Sequence, residues 1–168
     1  PACRSFVNCV EADTIVQLLL THGRSWLREG YSVRILCTYL AQATFLHRIL
    51  ELLYQHATPF DKPFLQDLTK LPISTVDSAQ GTEADIVLAS LVRANSRQST
   101  GFVSDARRTN VLLSRARIAQ FTFGHAPTLA SSNWNDFPAL FAIYQDMGAL
   151  LAASSEHWWH PVTAKEVI

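Results

Sequence analysis

The sequence predicts an α/β domain built on a mostly parallel sheet, and three observations carry that expectation. Nearly continuous apolar or β-branched runs, Val33 to Cys37, Ile73 to Val76 and Ile86 to Val92, read as strands buried in a sheet. Stretches of helical period lie between and around them, and strand, helix, strand in that order implies right-handed parallel crossovers. At 168 residues and 48% hydrophobic content, the chain has ample material for one core and little room for a second.

Taken in order, Glu11 to Glu29 places Ile15, Leu18, Leu19 and Trp26 at roughly helical spacing, with Gly30 as the stop. Ala41 to Gln55 reads as a second helix with Phe45, Ile49, Leu52 and Leu53 on its inward side. Thr58 to Lys70 contains Pro59 and Pro63 and reads as a loop with room for one short turn of helix. Gln120 to Phe123 is a further strand ending at Gly124, and Asn133 to Leu150 a closing helix. From Ser154 onward the pattern breaks. His157 and His160 flank Trp158 and Trp159 there, but no third ligand is in view, so a tail packing its tryptophans or leading onward is the reading taken over a metal site. His22, His47, His56 and His125 are scattered and read as structural or surface residues.

Formal charge is zero, from 14 basic and 14 acidic residues, so composition alone gives no support for nucleic-acid binding. Local placement differs: Arg93, Arg97, Arg107, Arg108, Arg115 and Arg117 face only Asp105 in the same stretch, which is either a binding surface or a solvated arginine face. Neither a signal peptide nor a membrane span is visible, and the opening at Pro1 reads as that of a piece of a longer polypeptide. Cys3, Cys9 and Cys37 lack CxxC spacing, which suggests reduced packing thiols in an intracellular protein.

Two stretches carry the chemistry. Asp77 to Glu83 is the loop leaving the carboxyl end of the Thr75 strand, where open α/β sheets collect ligands. Gln80, Gly81 and Glu83 bring an amide, an approachable backbone and a carboxylate close together, a set suited to a ribose or a metal-bound phosphate. Further on, Asp105 can cap a helix carrying Arg108 and Arg115 a heptad apart on one face, with Val111, Leu112 and Ala116 for apolar contact. An arginine so held can reach a γ-phosphate.

The pattern TVDxxQGxE…D…LVRAN…GF…D.RR.NV.LSRAR closely resembles motifs V and VI of superfamily 1 helicases of the nonsense-mediated-decay, senataxin and zinc-finger NFX-type group. The resemblance takes in Asn8-Cys9-Val10-Glu11-Ala12, ILCTYLAQ (Ile35 to Gln42, like motif IV) and FGHAPTLASSNW (Phe123 to Trp134). It implies a second RecA-like domain, a three-layer α/β/α sandwich with a mostly parallel sheet, over residues 1–152, with 153–168 as a tail or linker.

Residue by residue, the resemblance implies that Arg115 is an arginine finger, worth about a thousandfold or more in rate, where a plain surface arginine is the alternative. Gln80, Gly81 and Glu83 match nucleotide contacts, although Gln80 could instead tie the loop to its neighbours. Thr75, Asp77 and Ser78, with Thr38 and Tyr39, match contacts to the nucleic-acid backbone; Tyr39 could equally be a core aromatic. The cofactors implied are ATP and Mg2+. No GxxxxGK[ST] loop and no acidic DExx box occurs in this chain, so magnesium would be held mainly by a first RecA-like domain, and the isolated fragment should not hydrolyse ATP.

The implied activity is an ATP-dependent helicase moving 5′ to 3′ on RNA or DNA. Its partners would be a nucleic-acid single strand, the first RecA-like domain of the same protein and RNA-silencing or RNA-decay proteins, with no membrane and a cytoplasmic or nuclear location. Thr82, Thr109 and Ser114 depart from the family pattern. Two other readings stand beside it: a helicase-like module that has lost hydrolysis and serves as a nucleic-acid-binding scaffold, and an unrelated α/β ligand-binding domain.

Overall fold

The computed structural model describes residues 5–95 and 101–130, with short pieces at 143–144, 146–149, 151–152 and 160–161. Its main sheet has four parallel strands, β1 (Val33–Cys37), β2 (Ile73–Thr75), β3 (Ala84–Ser90) and β4 (Ala116–Phe123), in the spatial order β2-β1-β3-β4. Cys37 pairs with both Thr75 and Ser90, and Ser90 pairs with Phe123, so the four carboxyl ends share one edge.

Helices cover both faces. On the first, α1 (Cys9–Leu18) is capped by Asn8, whose Oδ1 accepts the Glu11 amide at 3.1 Å. It runs through a π-turn at Leu19–Gly23 into the short α2 (Arg24–Arg28), where a single uninterrupted helix was expected. Gly30 then takes φ +83, which a side chain would resist. Ala12, Ile15, Val16 and Leu19 pack with Ile35, Ile86 and Leu88 from the sheet.

α3 (Leu40–Gln55) also lies on this face, but with a stripe turned from the expected one. Ala43, Leu46 and Leu50 are buried; Phe45, Ile49 and Leu53 flank them half-buried, and Leu52 is 39% exposed. The proline-containing stretch explains part of the difference. It forms a full helix, α4 (Lys62–Thr69), with Pro63 in the first turn, where a missing N–H costs nothing. Phe64, Leu65 and Leu68 of α4 bury themselves beside α3, so α3 meets two neighbours and needs a wider apolar face.

β2 is not the buried strand expected. It is a three-residue edge strand, half-buried throughout, and Val76 already begins a 3-10 turn at Asp77–Ala79. β3, paired on both sides, is buried as its apolar run requires. On the second face, Leu36, Val87 and Ala89 meet Val76, Ala79, Leu112 and Leu129 in a separate cluster.

The expected helix at Asn133 to Leu150 falls mostly outside the described residues, as do the boundary at 152/153 and His157, Trp158 and Trp159. Leu151–Ala152 (β5) pairs antiparallel with His160–Pro161 (β6). Cys37 is buried, whereas Cys9 is exposed and so is not the packing thiol expected; Cys3 lies outside the described residues. Among the described residues no helix is long and apolar enough to cross a membrane.

Candidate nucleotide and strand interface

The two motif stretches run side by side down the second face of the sheet. Because β1 lies between β2 and β3 and all three are parallel, the chain leaving Thr75 must return the length of the sheet before β3 can start at Ala84. Thr75, Asp77 and Ser78 therefore sit near the carboxyl edge. Gly81, Thr82 and Glu83 lead instead to the amino end of β3, which corrects the expectation that the whole loop gathers at the carboxyl end.

α5 (Ala106–Leu113) accompanies this descent. Asp105 caps it, its Oδ1 accepting the Arg107 amide at 3.0 Å. At the upper end Arg108 Nε lies 3.3 Å from Asp77 Oδ1 and 4.0 Å from Asp105 Oδ2. At the lower end the Ala84 amide donates to the Arg115 carbonyl at 3.1 Å. Leu112, fully buried, packs between them in one cluster with Val76, Ala79 and Ala84.

Arg115 is not on the helix with Arg108, as expected. α5 ends at Leu113 with Ser114 as its C-cap, and Arg115 occupies the link to β4. The helix end explains its pose. Arg115 Nε donates at 2.9 Å to the Val111 carbonyl, which also accepts from Ser114 Oγ at 3.3 Å, and Arg115 Nη2 donates to Ser114 Oγ at 2.8 Å. The half-buried guanidinium is thus fixed on one side.

Gln80 (φ −57, ψ 130) and Gly81 (φ +79) form the corner of a type II turn closed by the Thr82 amide donating to the Ala79 carbonyl at 3.1 Å. Glycine, with no Cβ to resist positive φ, suits the third position. No atom lies within 4 Å of where a Cβ would stand, so the Gly81 backbone is open to approach. Thr82 reinforces the turn, its hydroxyl donating to Ala79 O at 2.7 Å. Gln80 and Glu83 are exposed.

At the carboxyl edge the Thr75 and Ser78 hydroxyls are 3.0 Å apart on an exposed surface. Thr38 is turned inward: it is buried, and its Oγ1 donates to Leu91 O at 2.9 Å. Tyr39 is half-buried, edge-on to Phe6 at 5.2 Å. Its hydroxyl abuts Gly101, where a Cβ would come within 2.6 Å of the phenol oxygen.

Arg117 belongs to the frame of the fold. Asp85 accepts from the Ser32 amide and hydroxyl at 2.9 and 2.7 Å and pairs with Arg117 Nη2 at 2.9 Å. The Ser32 hydrogen bonds, then Arg117, hold the Asp85 carboxyl below the usual range. His125 is structural too, its Nδ1 lying 2.8 Å from Thr128 Oγ1 at the start of α6 (Ala126–Ala130). Among the described residues no three His, Cys, Asp or Glu side chains converge on a metal position.

Sequence reasoning assigned no role to Glu11, although it is 6% exposed. Its Oε2 accepts from Ser90 Oγ at 2.6 Å and from the Val92 amide at 2.9 Å. Burial pushes the carboxyl up, against the pull of those bonds. The usable signal was a carboxylate at Glu11 on the helix face that also carries Ala12, Ile15, Val16 and Leu18.

Comparison with known proteins decides the family. The AAA domain family matches residues 2–127. The helicase required for RNAi-mediated heterochromatin assembly 1 of Schizosaccharomyces pombe is 37% identical over 77% of this chain and 12% of its own length. The regulator of nonsense transcripts 1 homolog of Drosophila melanogaster is 30% identical over 89% of this chain and 12% of its own. The probable helicase senataxin of Homo sapiens is 30% identical over 93% of this chain and 5% of its own. The chain belongs to the superfamily 1 helicases of the nonsense-mediated-decay and senataxin group. The parallel sheet with helices on both faces is the RecA-like α/β fold. The chain spans 5 to 12% of the length of those three relatives.

Proposed function

We propose that this chain is the second RecA-like half of an ATP-dependent helicase that moves 5′ to 3′ on a nucleic-acid single strand, with RNA as the first expected substrate. The observation that carries the reading is the side-by-side run of the two motif stretches, tied by Arg108 and Asp77 at one end and by Arg115 and Ala84 at the other.

The residues at the lower end fit a nucleotide. Gly81 offers an open backbone, Glu83 a carboxylate for ribose hydroxyls and Gln80 a neighbouring amide. Arg115 holds a fixed positive charge whose Nε and one Nη are already anchored, so its remaining donors aim without reorganisation at charge developing on phosphoryl oxygens. Bound ATP supplies the phosphoanhydride whose cleavage powers movement. Magnesium is assigned to the first RecA-like domain, and without that domain this chain is proposed to be inactive.

At the upper end Thr75, Ser78 and Tyr39 offer hydroxyls to a strand backbone, which binds phosphates without reading bases. Asp77 acts through the arginine it holds. Thr38 enters as the residue that fixes Tyr39, since its own hydroxyl is committed to Leu91. The Leu112 cluster makes both ends move as one body, so closing on nucleotide shifts the strand grip. RNA-silencing or RNA-decay proteins are the proposed partners and cytoplasm or nucleus the proposed location.

Strand-stimulated ATP hydrolysis by the full-length protein tests the reading, together with displacement of duplexes bearing a 5′ or a 3′ overhang. Stimulation and preference for the 5′ overhang are expected. Strand binding without any hydrolysis would replace the motor with the scaffold.

A further inference from the structure

Among the described residues Val92 is the only non-glycine residue with positive φ, at 68°. The Arg93 amide donates to the Leu91 carbonyl at 2.7 Å, closing a three-residue γ-turn about Val92. A β-branched residue rarely enters this region, and such turns persist where their surroundings over-determine them.

Both polar groups of Val92 are held by the start of α1. Glu11 Oε2 accepts its amide at 2.9 Å, and Asn8 Nδ2 donates to its carbonyl at 3.1 Å. Asn8 Nδ2 also lies 3.1 Å from Glu11 Oε1. The clamp is braced from behind. Ser90 Oγ donates to Glu11 Oε2 at 2.6 Å, and Gln42 Nε2 donates to Ser90 Oγ at 3.2 Å and to Asn8 O at 3.0 Å. Glu11, Ser90 and Gln42 are all buried. Capping α1 alone would require neither the burial of a carboxylate nor its bond to Val92.

The turn decides where Arg93 goes. Its guanidinium lies over the Phe6 ring, 4.5 Å from the centroid, and Phe6 meets Tyr39 edge-on at 5.2 Å. Phe6 remains 36% exposed. A cation, an accessible aromatic and a phenol at the carboxyl edge suit one phosphate and an adjacent base of a flexible strand.

We propose that Glu11, with Asn8, is a positioning residue for strand binding: it clamps Val92 in the γ-turn and so holds Arg93 against Phe6 and Tyr39 as a surface for a single strand. This rests on the helicase reading above and adds a residue set to it.

The test is equilibrium binding of a fluorescent oligouridine single strand to the full-length protein at fixed salt, with ATP affinity and thermal melting measured alongside. Arg93→Ala and Glu11→Ala should each weaken strand binding by about tenfold with ATP affinity kept. Val92→Gly should bind nearly as wild type, because glycine takes positive φ unaided. In the Glu11→Ala background, Val92→Gly should recover most of the loss, which a merely structural Glu11 would not allow. If Glu11→Ala does not fold, Glu11→Gln takes its place with the same expectation, since its amide sets a donor against Asn8 or Val92. Undiminished binding by Arg93→Ala or by a folded Glu11 variant, or no recovery in the double variant, overturns the inference and leaves the helicase reading standing. Absence of strand binding by the wild type overturns both.

Discussion

The Ala84 amide donates to the Arg115 carbonyl at 3.1 Å, which makes Glu83 and Arg115 neighbours at the amino end of β3 and β4. Residues separated by more than thirty positions in sequence are thereby held as one wall. The Asp77–Arg108 pair does the same at the carboxyl edge.

That pair should matter for coupling more than for stability. Its side chains are 58% and 47% exposed, so removing either should shift unfolding by no more than about 1 kcal/mol. Asp77→Ala and Arg108→Ala in the full-length protein should keep basal ATP hydrolysis but lose most of its stimulation by a single strand. Unchanged stimulation in both variants would show that the pair carries no signal.

Leu112 joins the two ends through the core. Leu112→Ala removes a fully buried side chain and should cost about 2–5 kcal/mol, read as an earlier urea midpoint with unchanged slope. A loss below about 1 kcal/mol would mean that α5 is not packed on the motif V turn as described.

Two carboxyls give opposite pH slopes. Glu11 is raised from 4.5 by burial, so its contribution to stability is present below that pH and is lost as pH rises through the folded value. Asp85 is lowered from 3.8 by Ser32 and then Arg117, so its contribution is present above that pH and is lost as pH falls through the folded value. Glu11→Gln should therefore flatten the decline on the neutral side of 4.5, and Asp85→Asn should flatten the loss in acid below 3.8, both measured as urea midpoints across pH.

Much of the fold was legible because local chemistry agreed with the tertiary answer. β1 and β3 are apolar runs paired on both sides, Asp105 caps α5, and Gly30 and Gly81 stand at positive φ. The misreadings share a cause: each residue answers to a neighbour distant in sequence. α3 turned its stripe to meet α4, β2 lay at an edge, and Thr38 gave its hydroxyl to Leu91. Arg115 left the helix because β4 begins one residue later, and Glu11 became visible only once Ser90 and Val92 lay beside it.

The measurement that bears most directly on the arginine finger is single-strand-stimulated ATP hydrolysis by the full-length protein, comparing wild type with Arg115→Ala and with Arg48→Ala. Arg48 lies on α3 in an exposed pair with Glu51 and serves as the control. Arg115→Ala should lose about a thousandfold or more in rate while binding ATP nearly as well, and Arg48→Ala should match wild type. Equal rates in wild type and Arg115→Ala would take Arg115 off the phosphate and contradict the proposed nucleotide wall.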